Sequence, residues 1–159
     1  MEELRELYGQ KRYMELQKKC QEQMESPEAG AEVYGYCACA QAARNNLSRP
    51  SLKEGTANFR KAFARGKEEQ KLPYLEELYA SFTGEVKKAL AASEQMIASL
   101  SLDAEIMLSY RECLSLGIEA LLAAAEEAEA AGLGADTEEP RKEALRYMRE
   151  YCLPRHRCV

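Results

Sequence analysis

A chain that almost lacks β-branched residues cannot clothe a sheet. Val33, Val86, Val159, Ile97, Ile106, Ile118, Thr56, Thr83 and Thr137 are the whole supply in 159 residues. Pleated faces need β-branched and aromatic side chains. Their places are taken here by Glu, Leu, Ala, Lys and Arg, which are good helix formers. The inventory excludes sandwiches, barrels, Rossmann folds and P-loop enzymes. It predicts an all-α protein of antiparallel helical hairpins, with six or seven helices, long enough for one hydrophobic core.

Apolar spacing and punctuation place the helices. Leu4, Leu7 and Tyr8 make a short first helix, and Gly9-Gln10 a turn. Tyr13, Leu16, Cys20 and Met24 then fall on one helical face. Ser26-Pro27-Glu28 reads as an N-cap with Pro in the first turn of a helix running to about 44. That helix carries Val33, Tyr34, Cys37 and Ala40, with Gly35, Cys39 and Ala42 beside them. Ser51 and Glu54 form a capping box, opening a basic helix that contains Phe59, Ala62 and Phe63.

Pro73 opens a long helix, in which Thr83-Gly84 is a potential kink. Ser101 is placed to cap a second long helix, running to about 130. The connection is so short that the two must form an antiparallel hairpin. The Ala- and Glu-rich stretch 119–131 has no bulky apolar residue after Leu122. It is free to protrude beyond the core, and either packs within the chain or reaches another copy. Gly132-Leu133-Gly134 stops it, and Asp136 or Thr137 caps a last helix. Residues 1–152 read as one helical domain and 153–159 as a basic flexible tail.

Residues 2–42 run helix, short turn, helix, Pro-marked turn, helix. With Tyr13-x-x-Leu16 opening the second helix, Pro27 near its close and Tyr34-Gly35 in the third, the stretch resembles a tetratricopeptide repeat. Leu16 is larger than the family's usual Ala, and Ala31 and Ala38 stand where bulky residues are usual. Phe59-x-x-Ala62 fits a displaced second helix of the next repeat. Past residue 70 the helices outrun the family's period of about 34 residues. The resemblance implies binding of peptides or protein segments in a concave groove, without chemistry.

Chemistry-bearing constellations are sparse. Cys37 and Cys39 point in nearly opposite directions on a helix, one to the core and one to a neighbouring helix, so they cannot share a metal. Cys152, His156 and Cys158 sit around the C-terminal tail with no CxxC pair to anchor a site, and His156 is the single histidine. Glu112, Glu119 and Glu126 line one flank without the Glu-x-x-His pattern of a di-metal bundle. The expectation is a non-enzyme with no cofactor and no metal. No apolar run approaches the roughly 20 residues of a membrane span. Glu2, Glu3, Arg5 and Glu6 stand where a secretory signal is apolar, so a cytoplasmic location is expected.

Charge is segregated around a net of −5. Seven basic residues and one acid lie between Arg44 and Lys67, and seven acids with no base between Glu119 and Glu139. A basic patch of this kind steers acidic partners. The leading functional expectation is a non-catalytic protein–protein interaction or scaffold module, with homo-oligomerisation open. Its contact residues would be Tyr36, which lies off the Val33–Cys37 stripe, and Arg44, Arg60, Lys61 and Arg65. Two alternatives are a nucleic-acid-binding regulator using segment 44–67 and a small-molecule sensor with a pocket between the long helices.

Overall fold

The helix formers assemble into seven α-helices in the computed structural model, which describes residues 2–47, 50–99 and 103–152. They are α1 (Glu2–Gly9), α2 (Tyr13–Gln23), α3 (Ala31–Arg44), α4 (Leu52–Glu68), α5 (Leu72–Ser99), α6 (Ala104–Ala130) and α7 (Glu138–Tyr147). Met148–Cys152 extend α7 as a π-helical turn. No described residue lies in a strand. No described helix is long and apolar enough to cross a membrane.

Helix α3 organises the rest because it is buried on opposite sides. Val33, Tyr36, Cys37 and Ala40 pack with Leu4 and Leu7 of α1 and Leu16 and Cys20 of α2. Ala38, Cys39 and Ala42 belong instead to the larger core of α4 to α7, with Phe59, Phe63, Leu75, Phe82, Val86, Leu114 and Leu121. The two cysteines of Cys37-x-Cys39 thus enter different cores, as their angular separation requires. Burial pushes the Cys20 and Cys37 thiols up to about 12, so both act as small hydrophobes.

Only small residues let so many helices crowd one axis. At Gly35, an added Cβ would lie 2.2 Å from the Tyr74 hydroxyl oxygen and 3.1 Å from Leu78 Cδ2. At Gly117 it would lie 2.5 Å from Leu90 Cδ2, which marks where α5 and α6 meet. Leu90 faces Gly117, while Met96 and Tyr110 line one depression further along. Rising numbers on α5 match falling numbers on α6, so the pair is antiparallel. Thr83-Gly84 does not interrupt α5, since the Thr83 hydroxyl donates to the Tyr79 carbonyl at 2.7 Å within an unbroken helix.

Several helix ends differ from the sequence expectation. Ser26 accepts a bond from the Glu28 amide in a turn, and α3 starts later, at Ala31. The Ala31 amide donates to the Glu69 carboxylate, 38 residues away. Ser51 does not cap α4: its hydroxyl donates to the Gln41 carbonyl at 2.6 Å. Asn45 Oδ1 takes the Ser51 and Leu52 amides instead. Glu54 accepts from buried Gln41, whose amide oxygen also accepts from Asn58 at 2.8 Å. Asp103, not Ser101, caps α6 by accepting from the Ile106 amide; Ser101 lies outside the described residues. Gly132, at φ +71°, ends α6 as expected, and Asp136 caps α7.

The Ala- and Glu-rich arm does not protrude. Ala120, Ala123, Ala124, Ala125 and Ala128 are buried, and the arm packs between α4 and α7. Its acids from Glu126 to Glu129 are engaged within the chain. Glu126 and Glu127 both accept from Arg60, and Glu129 accepts from Arg141 and the Thr137 hydroxyl. Basic tail residues 153–159, with His156 and Cys158, lie outside the described residues, as does the Cys152 side chain.

The close approach at α3 has a measurable consequence. Gly35→Ala gains about 1 kcal/mol of helix propensity, but overpacking against Tyr74 costs about 1–3 kcal/mol. A net loss of stability is expected in urea denaturation. Adding Tyr74→Phe removes the nearest clashing atom and should restore part of it, so the two changes will not be additive. Additive losses would show that Gly35 is not in contact with Tyr74.

A candidate protein-binding groove

The five residues singled out from the sequence do not form one exposed surface. Tyr36 is the clearest correction: it is 5% exposed, with its ring between those of Tyr8 and Tyr74 at centroid distances of 6.1 and 5.6 Å. An off-stripe position faces solvent only on a helix with one apolar side, and α3 has two. Arg44, on the last turn of α3, donates to Gln17 of α2 at 2.7 Å. Arg60 is held by Glu126 at 3.1 Å and Glu127 at 2.6 Å. Lys61 and Arg65 flank the Tyr34 ring at 5.8 and 4.9 Å. Phe59 and Phe63 of the same basic helix are fully buried, so neither ring is presented for stacking on a base.

What the fold builds instead is a groove along α5. Its first section, about 320 Å³, has a floor of Ala42 and Ala43 from α3 and Ala89 and Ala92 from α5. Tyr13, Lys11, Glu85 and Lys88 close one end. The next section shares Asn45, Ala89 and Ala92 and continues to Met96, Tyr110 and Cys113, adding about 190 Å³. From Glu85 to Met96 the path covers three turns, about 16 Å at 1.5 Å per residue. On the other side of Tyr13, Met14 and the stems of Arg12, Lys18 and Arg44 line an open depression of about 590 Å³. Met14 is 69% exposed there. Arg44 is therefore the one residue from the sequence expectation that borders the concave surface.

Glu85 anchors the closed end, and it did not stand out in the sequence. It lies within the apolar run of α5 between Phe82 and Val86, a position that implies burial, and it is 7% exposed. Its carboxylate accepts the Tyr8 hydroxyl at 2.7 Å and sits 3.8 Å from Lys88 Nζ. Burial raises the Tyr8 and Tyr13 hydroxyls above their usual range, and the Glu85 charge adds to it. Tyr8 and Tyr13 stand 5.9 Å apart, so the row of rings continues from the groove through Tyr36 to Tyr74 under α3.

Lys11 reaches this end from a strained backbone. It adopts φ +60° at the close of α1, where its amide and that of Arg12 return to the Tyr8 and Leu7 carbonyls. Gln70 adopts φ +57° at the corresponding position after α4. Glycine is the usual occupant of such a position, and any other residue costs about 1–2 kcal/mol.

Among the described residues, no three His, Cys, Asp or Glu side chains gather as a metal site. Between the long helices, Leu90 fills the space at Gly117. Comparison with family models, curated proteins and solved structures finds no match to this chain.

Two outcomes follow. Tyr8, Tyr36 and Tyr74 have folded-state pKa values raised above 10 by burial, that of Tyr36 to about 12. The folded form therefore binds the proton more tightly, so stability holds below about pH 10 and falls above it. Tyrosinate absorbance should show a group of residues ionising only as helical circular dichroism is lost. Separately, Lys11→Gly and Gln70→Gly should each stabilise the fold by about 1 kcal/mol, read as a higher denaturation midpoint.

Proposed function

We propose that the chain is a non-catalytic protein-interaction module that holds a segment of a partner protein in the groove along α5. The observation that carries this is the continuous concave strip with an alanine floor and walls of Tyr13, Met96 and Tyr110. Tyrosine supplies large contact area at small entropic cost and is enriched among binding hot spots. Small floor residues let a partner backbone approach closely. The tetratricopeptide-like order of α1 to α3 agrees with this reading, since that architecture presents a concave face to protein segments. Arg44 belongs to the contact surface, whereas Tyr36 is linked to it only through the Tyr8 and Tyr13 rings. Lys61 and Arg65, both against the Tyr34 ring, offer a smaller contact on α4.

A photo-crosslinking residue introduced at Ala92 checks this in the native cell. It should give discrete adducts with another protein, absent when the same residue replaces exposed Lys53 on α4. Equal adducts from both positions, or none from Ala92, would count against the groove.

A further inference from the structure

From the charge and chemistry of the groove's rim we infer that its occupant is an amphipathic helix with an acidic flank, contributed by a different protein. The inference rests on the groove being a binding site, and goes on to the chemistry of what it binds.

The rim is cationic where Tyr13 joins the two depressions. Lys11, Lys18, Arg44 and Lys88 surround it. Lys11 and Lys18 make no ion pair among the described residues, and the Lys88 side chain is 74% exposed. The acids present offset them only in part, through the 3.8 Å Lys88–Glu85 pair. Glu15 is engaged by Arg12 at 2.5 Å, and buried Glu85 holds the Tyr8 hydroxyl. Several cations elsewhere are occupied: Arg60 by α6, Arg141 by Glu129, and Arg146 by Glu94, Glu143 and Glu150. The overall charge of −5 therefore hides a rim of the opposite sign. That rim attracts carboxylates and disfavours basic segments.

The occupant's conformation follows from hydrogen bonding. The floor is alanine, and the walls are helices whose main-chain groups are already paired. An extended segment would find no strand edge to pair with and would bury unsatisfied amides. A helix satisfies its own backbone, and three turns fit the path from Glu85 to Met96. Apolar residues at i, i+3 and i+4 would meet the floor, with acids on the flank toward Lys11 and Lys88.

A second copy is the weaker occupant. Glu126, Glu127 and Glu129 of the α6 arm are consumed inside the chain, and its alanine face is buried. Tyr110 and Cys113 of α6 already form the far wall of the groove. A head-to-tail contact using them would not close.

Two designed helical peptides with the same apolar stripe, one flanked by Glu and one by Lys, serve as probes in fluorescence anisotropy. The Glu peptide should bind about tenfold or more tightly than the Lys peptide, and should weaken with added salt. Lys11→Glu with Lys88→Glu should reverse the preference. Lys11→Gly should weaken Glu-peptide binding while raising stability, whereas Gln70→Gly should raise stability and leave binding unchanged. Ala92→Arg should abolish binding of both peptides.

Equal binding of the two peptides, or indifference to the Lys11 and Lys88 changes, overturns the acidic specificity and leaves the groove standing. Binding that survives Ala92→Arg overturns the groove itself. Absence of binding by either peptide overturns a helical occupant. Comparable binding of a short DNA duplex at the same salt would reassign the rim to nucleic acid. Concentration-dependent self-association lost in Ala92→Arg would reassign the groove to a second copy.

Discussion

Everything in this fold depends on how closely helices can approach α3. Ten of its fourteen residues are buried, and the set is mostly Ala, Gly and Cys. A helix built of such residues contributes little apolar area of its own. It contributes proximity: α2, α4 and α5 close on it, and their larger side chains meet around it. With few knobs, α3 is held in rotation by a few specific contacts. Tyr36 is fixed among Tyr8 and Tyr74, and the Gln41 amide is fixed between Glu54 and Asn58. The polar network leaves no buried nitrogen or oxygen of Gln41, Glu54 or Asn58 without a partner.

Electrostatics divides the surface in a way that the charge distribution only half discloses. Separated basic and acidic segments invite the thought of an external partner, or of two copies pairing head to tail. The fold brings α4 and α6 together, so that Arg60 meets Glu126 and Glu127 within one chain. Among the described cations without an ion pair are Lys11 and Lys18 at the groove, which no local run of charge singles out. Screened surface pairs add little stability individually. The larger effect is that these acids are kept from the groove rim, where cations outnumber carboxylates.

The legible parts of the fold were those governed by local chemistry. The scarcity of β-branched residues fixed the class. The stripe Leu16–Cys20, the short 100–103 connection and Gly132 located elements that depend on neighbours in sequence. What escaped was set by distant partners. The Ala31 amide is capped from Glu69, and α4 is capped by Asn45 because the Ser51 hydroxyl turns to Gln41. Tyr36 misled because stripe reasoning presumes one buried side. The groove was illegible for the same reason: Tyr13, Ala42, Ala89 and Tyr110 come from four helices. Among them only Glu85 carried a local signal, a carboxylate set in an apolar run.

The sharing of α3 between two cores also divides the molecule in time. The α1–α2 hairpin has its own small cluster and leans on one side of α3, tied to α5 by Tyr8–Glu85 and Arg5–Glu77. Its detachment leaves the α4–α7 core and the α3–α4 network in place. The hairpin is thus a cooperative unit able to open below the cost of global unfolding. Since the α1–α2 hairpin contributes the tyrosine wall and two rim cations, Lys11 and Lys18, amide exchange in α1 and α2 reports on the lifetime of the groove itself, not on that of the whole protein.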